Sequence, residues 1–378
     1  RPHRPPNQRF SAQDIAAGHA LACQATIEGD ATIYIPPQQI ERKLQTDRTA
    51  VQVTVPLGYD PQRDQPLSKV FITLSAPSLD DQTDDWSRLK RELNRQYGIA
   101  NLEAGLPVLR RLSAALRQGD WAVTLVLERN RNDDSAPPRL VDILPGEHTE
   151  TLWGVAIDIG TTTNVVWLVD LLSGEVRAQT ADYNGQIARG EDVISRIIYA
   201  SKGDGLYDLQ RLVMETLNRL LEQAARERKI SLDEIYKVVV AGNSTMIHLF
   251  AGIPPESIRL MPFVTTVNHV PTFPAREVGL GVNPEATVDC LPCVASYVGA
   301  DITAGVVSSG MCGEEERLTL FVDIGTNGEI VLGDCTWLIA CACSAGPAFE
   351  GAGVVHGMRA TAGAIEEGWI SPEDYEAS

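Results

Sequence analysis

Two short sequences carry the plainest chemistry in this chain: Asp158-Ile159-Gly160-Thr161 and Asp323-Ile324-Gly325-Thr326. They repeat one another 165 positions apart, each set between apolar stretches that read as strands. GVAIDIG runs through Thr161-Thr162-Thr163 into NVVWLVD, and LTLFVDIG runs through TNG into EIVL. Glycine lets backbone N–H groups approach a phosphate closely, and threonine hydroxyls add donors, so such a turn is an anion-binding nest. An aspartate that ends a strand cannot touch phosphate without repulsion, which calls for a bridging divalent cation or its water. Two such loops facing each other across a cleft would clamp a di- or triphosphate from both sides. One Gly-Thr turn after a strand is as readily a tight hairpin. Two copies in matching strand–loop–strand settings favour a nucleotide. Neither G-x-x-x-x-G-K-[ST] nor a G-x-G-x-x-G leading from strand into helix is present, which argues against the P-loop and Rossmann alternatives.

Other reactive residues offer less. Cys290-Leu-Pro-Cys293 has redox-motif spacing without a thioredoxin-like context, and Cys312, Cys335, Cys341 and Cys343 follow it. A metal or iron–sulfur site there is one reading. Against it, Cys341 and Cys343 alternate in an apolar strand, where small buried thiols are common. His248 sits in an apolar helix pattern and reads as core, and His356 follows a Gly-rich turn with no visible partner. Gly346, Gly351 and Gly353 either line the nucleotide cleft or make ordinary turns. Glu191 and Asp192 read as the start of a helix rather than as catalytic groups.

These loops need a scaffold, and the chain has length for two or three domains at 378 residues. A hydrophobic content of 44% and a charged content of 22% are ordinary for a globular protein. The net charge of −18 argues against nucleic-acid binding and is compatible with a basic protein partner. No apolar run is long enough for a membrane span, and the polar, Pro-rich start lacks a secretory signal. Seven scattered cysteines do not read as a disulfide framework, and a reducing cytoplasm is the simplest setting.

Along the chain, a helix is expected at Ser11–Gly18, a strand at Ala31–Pro36 and a linker over 36–50. VQVTV from Val51, KVFITL, WAVTLVLE (Trp121–Glu128) and RLVDIL (Arg139–Leu144) read as strands. Asp80–Gln118 reads as helical with a break at Gly98, with Leu102, Leu106, Leu109, Leu112 and Leu116 on one face and Pro107 in a first turn. Residues 51–148 thus form a small α+β domain with no chemistry of its own. From residue 149 the chain alternates Gly-punctuated strands with helices at Gly190–Ala200, Leu206–Arg228 and Ala295–Ser308. KVVVAG is a buried strand, Asn243 or Ser244 caps the next helix, and Pro254–Pro284 is an irregular crossing. The fold class is α+β with a mixed sheet.

The paired hairpins resemble the phosphate loops of the superfamily of actin, sugar kinases and heat-shock ATPases. More specifically, LACQATIEGDATIYIP, GVAIDIGTTT, ARGEDVISRI, VAGNSTMIHLFAGI, FVDIGTNGEIVL and CSAGPAFEGAGVVHGMRATAGAI resemble segments of the reductive activators of corrinoid proteins. The resemblance covers nearly the whole chain. It implies an actin-like ATPase core, a ribonuclease-H-like mixed sheet with flanking helices, over 149–378. It also implies that residues 1–35 are the tail of a β-grasp [2Fe-2S] ferredoxin domain. Asp158 and Asp323 would be the catalytic aspartates, holding Mg through water. Gly160, Thr161, Thr162, Thr163, Gly325, Thr326, Asn327, Gly328, Glu329 and Gly346 would bind ATP, and the helix around Tyr297–Val307 would connect to the second loop. Cys23 matches only the fourth cluster ligand, so the other three would precede Arg1. The chain is therefore expected to begin late in that domain and to stop before an adenosine-contacting segment, with ATP affinity of the fragment weakened or absent.

The implied activity is ATP-dependent reduction of Co(II) corrinoid to Co(I) in methyltransferase systems, with a corrinoid protein and an upstream electron donor as partners and a homodimer as the assembly. Plant-type clusters sit near roughly −400 mV, above the family's cobalt couple, so nucleotide-driven differential binding of partner states would supply the difference. Two other readings of the same core are a sugar or carboxylate kinase, for which no base aspartate can be assigned, and a non-catalytic nucleotide-responsive binding module.

Overall fold

The computed structural model describes residues 55, 58–130, 133, 135–313, 317–325 and 327–343. The elements expected at Ser11–Gly18 and Ala31–Pro36, the linker, and the strand from Val51 lie outside these residues, as do Cys23, Thr326, Gly346, Gly351, Gly353 and His356. All described residues belong to one compact unit, Leu44–Arg359.

The first sheet contains β1 (Leu67–Thr73), β2 (Glu103–Ala104), β3 (Ala122–Glu128) and β4 (Arg139–Pro145), in the order β1-β3-β4-β2. β1, β3 and β4 are antiparallel, while β2 runs parallel to β4. Helices α1 (Asp85–Tyr97) and α2 (Leu106–Gln118) cover one face, burying Leu89, Leu93, Val108, Leu112 and Leu116 against Ile72, Leu125, Leu127 and Leu140.

The helical reading of Asp80–Gln118 is corrected in two places. Residues 80–84 are not helical because they wrap around Arg88, whose fully buried guanidinium donates to Asp81 Oδ2 at 2.7 Å and to the carbonyls of Ser75, Asp81 and Thr83. α1 begins instead at its Asp84 cap, which accepts from the Ser87 N–H at 2.9 Å. Gly98, at φ 73°, ends it, as the break at that residue anticipated. The chain then extends to place β2 beside β4, so Leu102 is not helical, and Leu106 and Leu109 are exposed. Pro107 does fall in the first turn of α2.

The second sheet has the order β7-β6-β5-β8-β10-β9. It comprises β5 (Trp153–Ile159), β6 (Thr163–Asp170), β7 (Glu175–Tyr183), β8 (Ile235–Gly242), β9 (Phe273–Pro274) and β10 (Thr287–Cys290). β5, β6 and β7 form an antiparallel meander, whereas β5, β8 and β10 run parallel. The parallel strands present their C-terminal ends together, so the turns that follow them share one rim of the sheet. β7 and β10 were not expected. β7 alternates polar residues on an edge, and β10 has four residues held between β8 and β9.

Helices α3 (Val193–Ala200), α4 (Gly205–Arg228) and α5 (Ser244–Ala251) come next in this region. α4 buries Leu209, Val213, Leu217, Leu220 and Leu221 in the main core with Val155, Ile157, Val166, Leu168, Val238 and Val240. α3 starts at Asp192, which forms a capping box with Ser195.

A shorter helix than expected, α6 (Ala300–Ser308), carries the chain to a three-stranded antiparallel sheet of β11 (Thr319–Ile324), β12 (Gly328–Gly333) and β13 (Leu338–Cys343). Ile302 and Val306 of α6 pack with Val331 and Phe321 of that sheet. Cys341 and Cys343, expected to be buried thiols, are exposed because every residue of β13, an edge strand, is exposed.

The first sheet's second face packs Leu67, Val126 and Val141 against Leu152, Leu171 and Tyr236. An ion cluster joins the same two sheets: Lys237 Nζ lies 3.0 Å from Glu128 Oε1 and 2.7 Å from Asp289 Oδ2. Arg139 adds donors to Glu128 at 2.8 Å and to Thr287 Oγ1 at 2.7 Å. Among the described residues no helix is long and apolar enough to cross a membrane.

Candidate functional site: a two-loop nucleotide clamp

The first loop turns between β5 and β6. Gly160 N–H donates to Thr163 O at 3.0 Å, closing the turn. A Cβ on Gly160 would lie 2.4 Å from that same oxygen, so only glycine fits. Gly160 O accepts from Asn184 Nδ2 at 2.8 Å, and Thr162 O accepts from the Asn184 N–H at 2.8 Å. Three of the loop's carbonyls are thereby tied to the protein itself. The N–H groups of Thr161 and Thr162 have no acceptor among the described residues. A peptide N–H points opposite to its C=O, so the Thr161 N–H, on the peptide whose carbonyl is Gly160 O, faces away from Asn184, as an anion nest requires.

β8 ends beside this loop. Asn243 caps α5, its Oδ1 accepting from the Met246 N–H at 2.9 Å, while its Nδ2 donates to Thr161 Oγ1 at 3.1 Å. The capping role expected of Asn243 or Ser244 thus falls to Asn243, and the same amide orients the loop threonine. The turn before α6 also closes in: a Cβ on Gly299 would sit 2.4 Å from Asn243 Cα and 2.6 Å from Asp301 Oδ1.

The second loop closes one residue sooner, with Gly325 N–H donating to Asn327 O at 2.8 Å. Asp323 and Glu329 are register partners across β11 and β12, and Gly328 opens β12. Thr326 and Gly346 fall outside the described residues.

Four carboxylates meet electrostatically although they come from separate segments. Burial, then the charges of Asp301 and Asp323, raise Asp158 to about 6. Burial, then the same two aspartates, raise Glu329 to about 7. Asp301 is also raised, by burial first and by Asp323. No cationic side chain is among the groups acting on these three. Asp301 was missed in the sequence. Its available signal was an acidic residue in the first turn of a Gly-started helix lacking basic residues, Gly299-Ala300-Asp301.

These donors fit Mg. The cation takes hard oxygen ligands, commonly one or two carboxylates completed by water and substrate phosphate. Asp158 and Asp323 are the residues that would hold it, and Mg there would neutralise phosphate charge. Among the described residues no group of three or more His, Cys, Asp or Glu could hold a metal ion by itself.

The remaining candidates are structural. Cys290 and Cys293 are free and buried in the main core, and burial, with Cys293 and Asp289, pushes the Cys290 thiol up to about 12. A thiol so protonated is a poor ligand or nucleophile. His248 is fully buried, its Nδ1 2.7 Å from Ser244 O and its Nε2 3.2 Å from the Thr266 N–H, a core residue as expected.

Comparison with known proteins agrees with this fold. Residues 59–150 match the RACo linker region, 153–314 the RACo middle region, and 317–378 the C-terminal domain of RACo, the ASKHA domain. The corrinoid activation enzyme RamQ of Eubacterium limosum is 39% identical over 231 residues, covering 61% of this chain and 38% of its own length. The Co(II) methylated amine-specific corrinoid protein reductase of Methanosarcina barkeri is 26% identical over 232 residues, covering 59% of this chain and 41% of its own. A solved reductive activator for corrinoid, iron-sulfur protein is 41% identical with a TM-score of 0.72, covering 98% of this chain and 59% of that one. The chain thus spans less than two thirds of each of these relatives. Three regions of one family, matched in order along most of its length, place this chain in the RACo family.

Proposed function

We propose that this chain is the nucleotide-binding and partner-binding part of an ATP-dependent reductive activator that brings a corrinoid protein from Co(II) to Co(I). The observation that carries the proposal is the pairing of the two Asp-Ile-Gly-Thr turns, whose aspartates share one electrostatic neighbourhood. The names of the relatives, an activation enzyme and a reductase of corrinoid proteins, supply the class of partner.

On this reading the loop N–H groups and Thr161 to Thr163 bind the polyphosphate, and Asp158 and Asp323 hold Mg through water. Gly325 to Glu329 and Gly346 close the other side. Asp301 joins them as an added charge. The reaction needs no organic base from this chain: nucleotide binding shifts the relative affinity for the two partner states, and a ligand shifts an equilibrium only through such a difference. Binding two states with a tenfold difference corresponds to about 59 mV for one electron.

An upstream donor supplies the electron, the resemblance implies a homodimer, and a reducing cytoplasm suits both Co(I) and the free thiols. The [2Fe-2S] cluster has no ligand set among the described residues, and Cys23 lies outside them. The domain reading, with residues 51–148 as a small α+β middle domain ahead of the ATPase core, belongs to the same proposal.

The test is ATP-dependent Co(I) formation on a Co(II) corrinoid protein, followed by absorbance with the intact gene product. Formation that disappears in Asp158→Ala and Asp323→Ala supports the proposal. Nucleotide turnover indifferent to corrinoid, with no Co(I), overturns it in favour of a small-molecule kinase.

A further inference from the structure

The segment ARGEDVISRI takes part in the family resemblance, yet the nucleotide clamp described above uses none of its side chains. Its penultimate residue, Arg196, is fully buried. Arg196 Nη2 donates to Thr161 O at 2.5 Å, Nε to Gly190 O at 2.8 Å, and Nη1 to Gln186 Oε1 at 3.2 Å. The remaining neighbour is the Met246 sulfur, 3.1 Å from Nη1. Every one of these partners is neutral, and among the described residues no carboxylate forms an ion pair with Arg196. Gly190 makes the approach possible, since a Cβ there would fall 2.8 Å from the Arg196 N atom.

Burial without a counter-anion is costly for a guanidinium. Burial pulls its proton affinity down to about 10, against the smaller opposing charge of Asp192, so the group is still a cation at neutral pH. A simple structural tether for Thr161 O would not require a charge: Asn184 tethers the neighbouring carbonyl with a neutral amide. The acceptor that Arg196 takes is the one loop carbonyl Asn184 and Gly160 leave over, and the Thr162 N–H on the same peptide points the opposite way. A cation on the carbonyl also polarises that N–H as a donor.

We propose that Arg196 is a positioning residue for the polyphosphate: from behind the first loop it sets the Thr161–Thr162 peptide with its N–H toward the ligand, and its charge is answered when phosphate binds. The proposal rests on the nucleotide reading and adds a residue and a charge dependence to it. It follows that Arg196 discriminates nucleotides by phosphate number rather than by base or sugar.

The experiment is calorimetric binding of Mg-ATP, Mg-ADP and AMP to the intact protein, with Arg196→Gln and Arg196→Lys, alongside ligand-free melting. Arg196→Gln is expected to weaken ATP about tenfold or more, ~1.4 kcal/mol, and AMP least. Arg196→Lys keeps the charge and is expected to hold the ATP-over-AMP preference to within about threefold of wild type, even where its melting temperature falls. If Arg196→Gln does not fold, the Lys variant decides. Equal losses for all three nucleotides in Arg196→Gln, an ATP-over-AMP preference that falls about tenfold or more in Arg196→Lys, or unchanged ATP affinity in folded Arg196→Gln, overturn the proposal. Wild-type protein that binds none of the three nucleotides removes the nucleotide reading itself, an outcome distinct from either variant result.

Discussion

Asp158 and Asp323 stand 165 positions apart in the chain, yet after burial and the charge of Asp301 it is the charge of Asp323 that raises the proton affinity of Asp158. The relationship depends on two separate packing events. The parallel strands β5 and β8 bring Asp158 to the rim that also carries Asn243 and Gly299. The apolar contact of α6 with β11 and β12 brings Asp323 beside Asp301. Like charges drawn together with no cationic side chain acting on them among the described residues leave room for a cation from solution.

The first prediction concerns pH. Asp158 is raised to about 6 and Glu329 to about 7, so the folded, ligand-free protein holds more protons than the unfolded chain between the usual carboxylate range and those values. Their favourable contribution is full below that usual range and is lost as pH rises through about 6 and then about 7. Asp158→Asn removes the first of these. Urea denaturation should find Asp158→Asn gaining on wild type as the buffer moves from about pH 5 to about pH 8. A stability difference that is constant with pH would refute the shift. Mg-nucleotide binding, which needs the ionised forms, should release protons near neutrality and strengthen over the same range.

A second prediction tests the turn. The Cβ of Gly160→Ala would meet Thr163 O at 2.4 Å, so the loop must open. Overpacking of this kind costs roughly 1–3 kcal/mol, and the distortion falls on the N–H groups assigned to phosphate. Nucleotide affinity should drop further than the melting temperature alone accounts for. Retained affinity would show that the loop's present shape is not the binding shape.

The third concerns the contact between the first two sheets. Burial alone would raise the Glu128 carboxyl, yet Lys237, Thr287 and Arg139 hold it below the usual range. Both Lys237 and Glu128 side chains are only 11% exposed. Lys237→Met leaves two carboxylates short of their cation and should cost about 3 kcal/mol in urea unfolding. A loss under about 1 kcal/mol would class the pair with ordinary surface bridges.

A fourth is chemical. Iodoacetamide under native conditions should label Cys312, Cys335, Cys341 and Cys343 of this chain quickly and leave Cys290 and Cys293 slow, because the last two are buried in the core. Mass-spectrometric mapping reads the order directly. Rapid labelling of Cys290 would contradict its placement.

Much of this was legible in the sequence where local rules and tertiary packing agree. The two loops, the cap at Asn243, the helix start at Asp192 and the stop at Gly98 all follow from residues whose backbone or capping needs are local. The failures are long-range. Nothing near Asp80 announces that Arg88 will gather residues 81–83 around its guanidinium, and nothing near Glu103 announces a parallel partner in Arg139. Asp301 gains its meaning only through Asp158, Asp323 and Glu329, none of them close in sequence. Cys341 and Cys343 alternate as core residues do, but an edge strand of a three-stranded sheet leaves them exposed.

A shared clamp requires the two loops to act on one nucleotide. The direct measurement is the Mg-ATP affinity of the intact protein, its Asp158→Ala and Asp323→Ala variants and the double variant. Each single change should weaken binding about a hundredfold, ~2.7 kcal/mol. The double variant should fall short of the sum, because residues serving one cation are not additive. Full affinity in Asp323→Ala, or two strictly additive losses, would contradict a shared clamp and leave the second turn an ordinary hairpin.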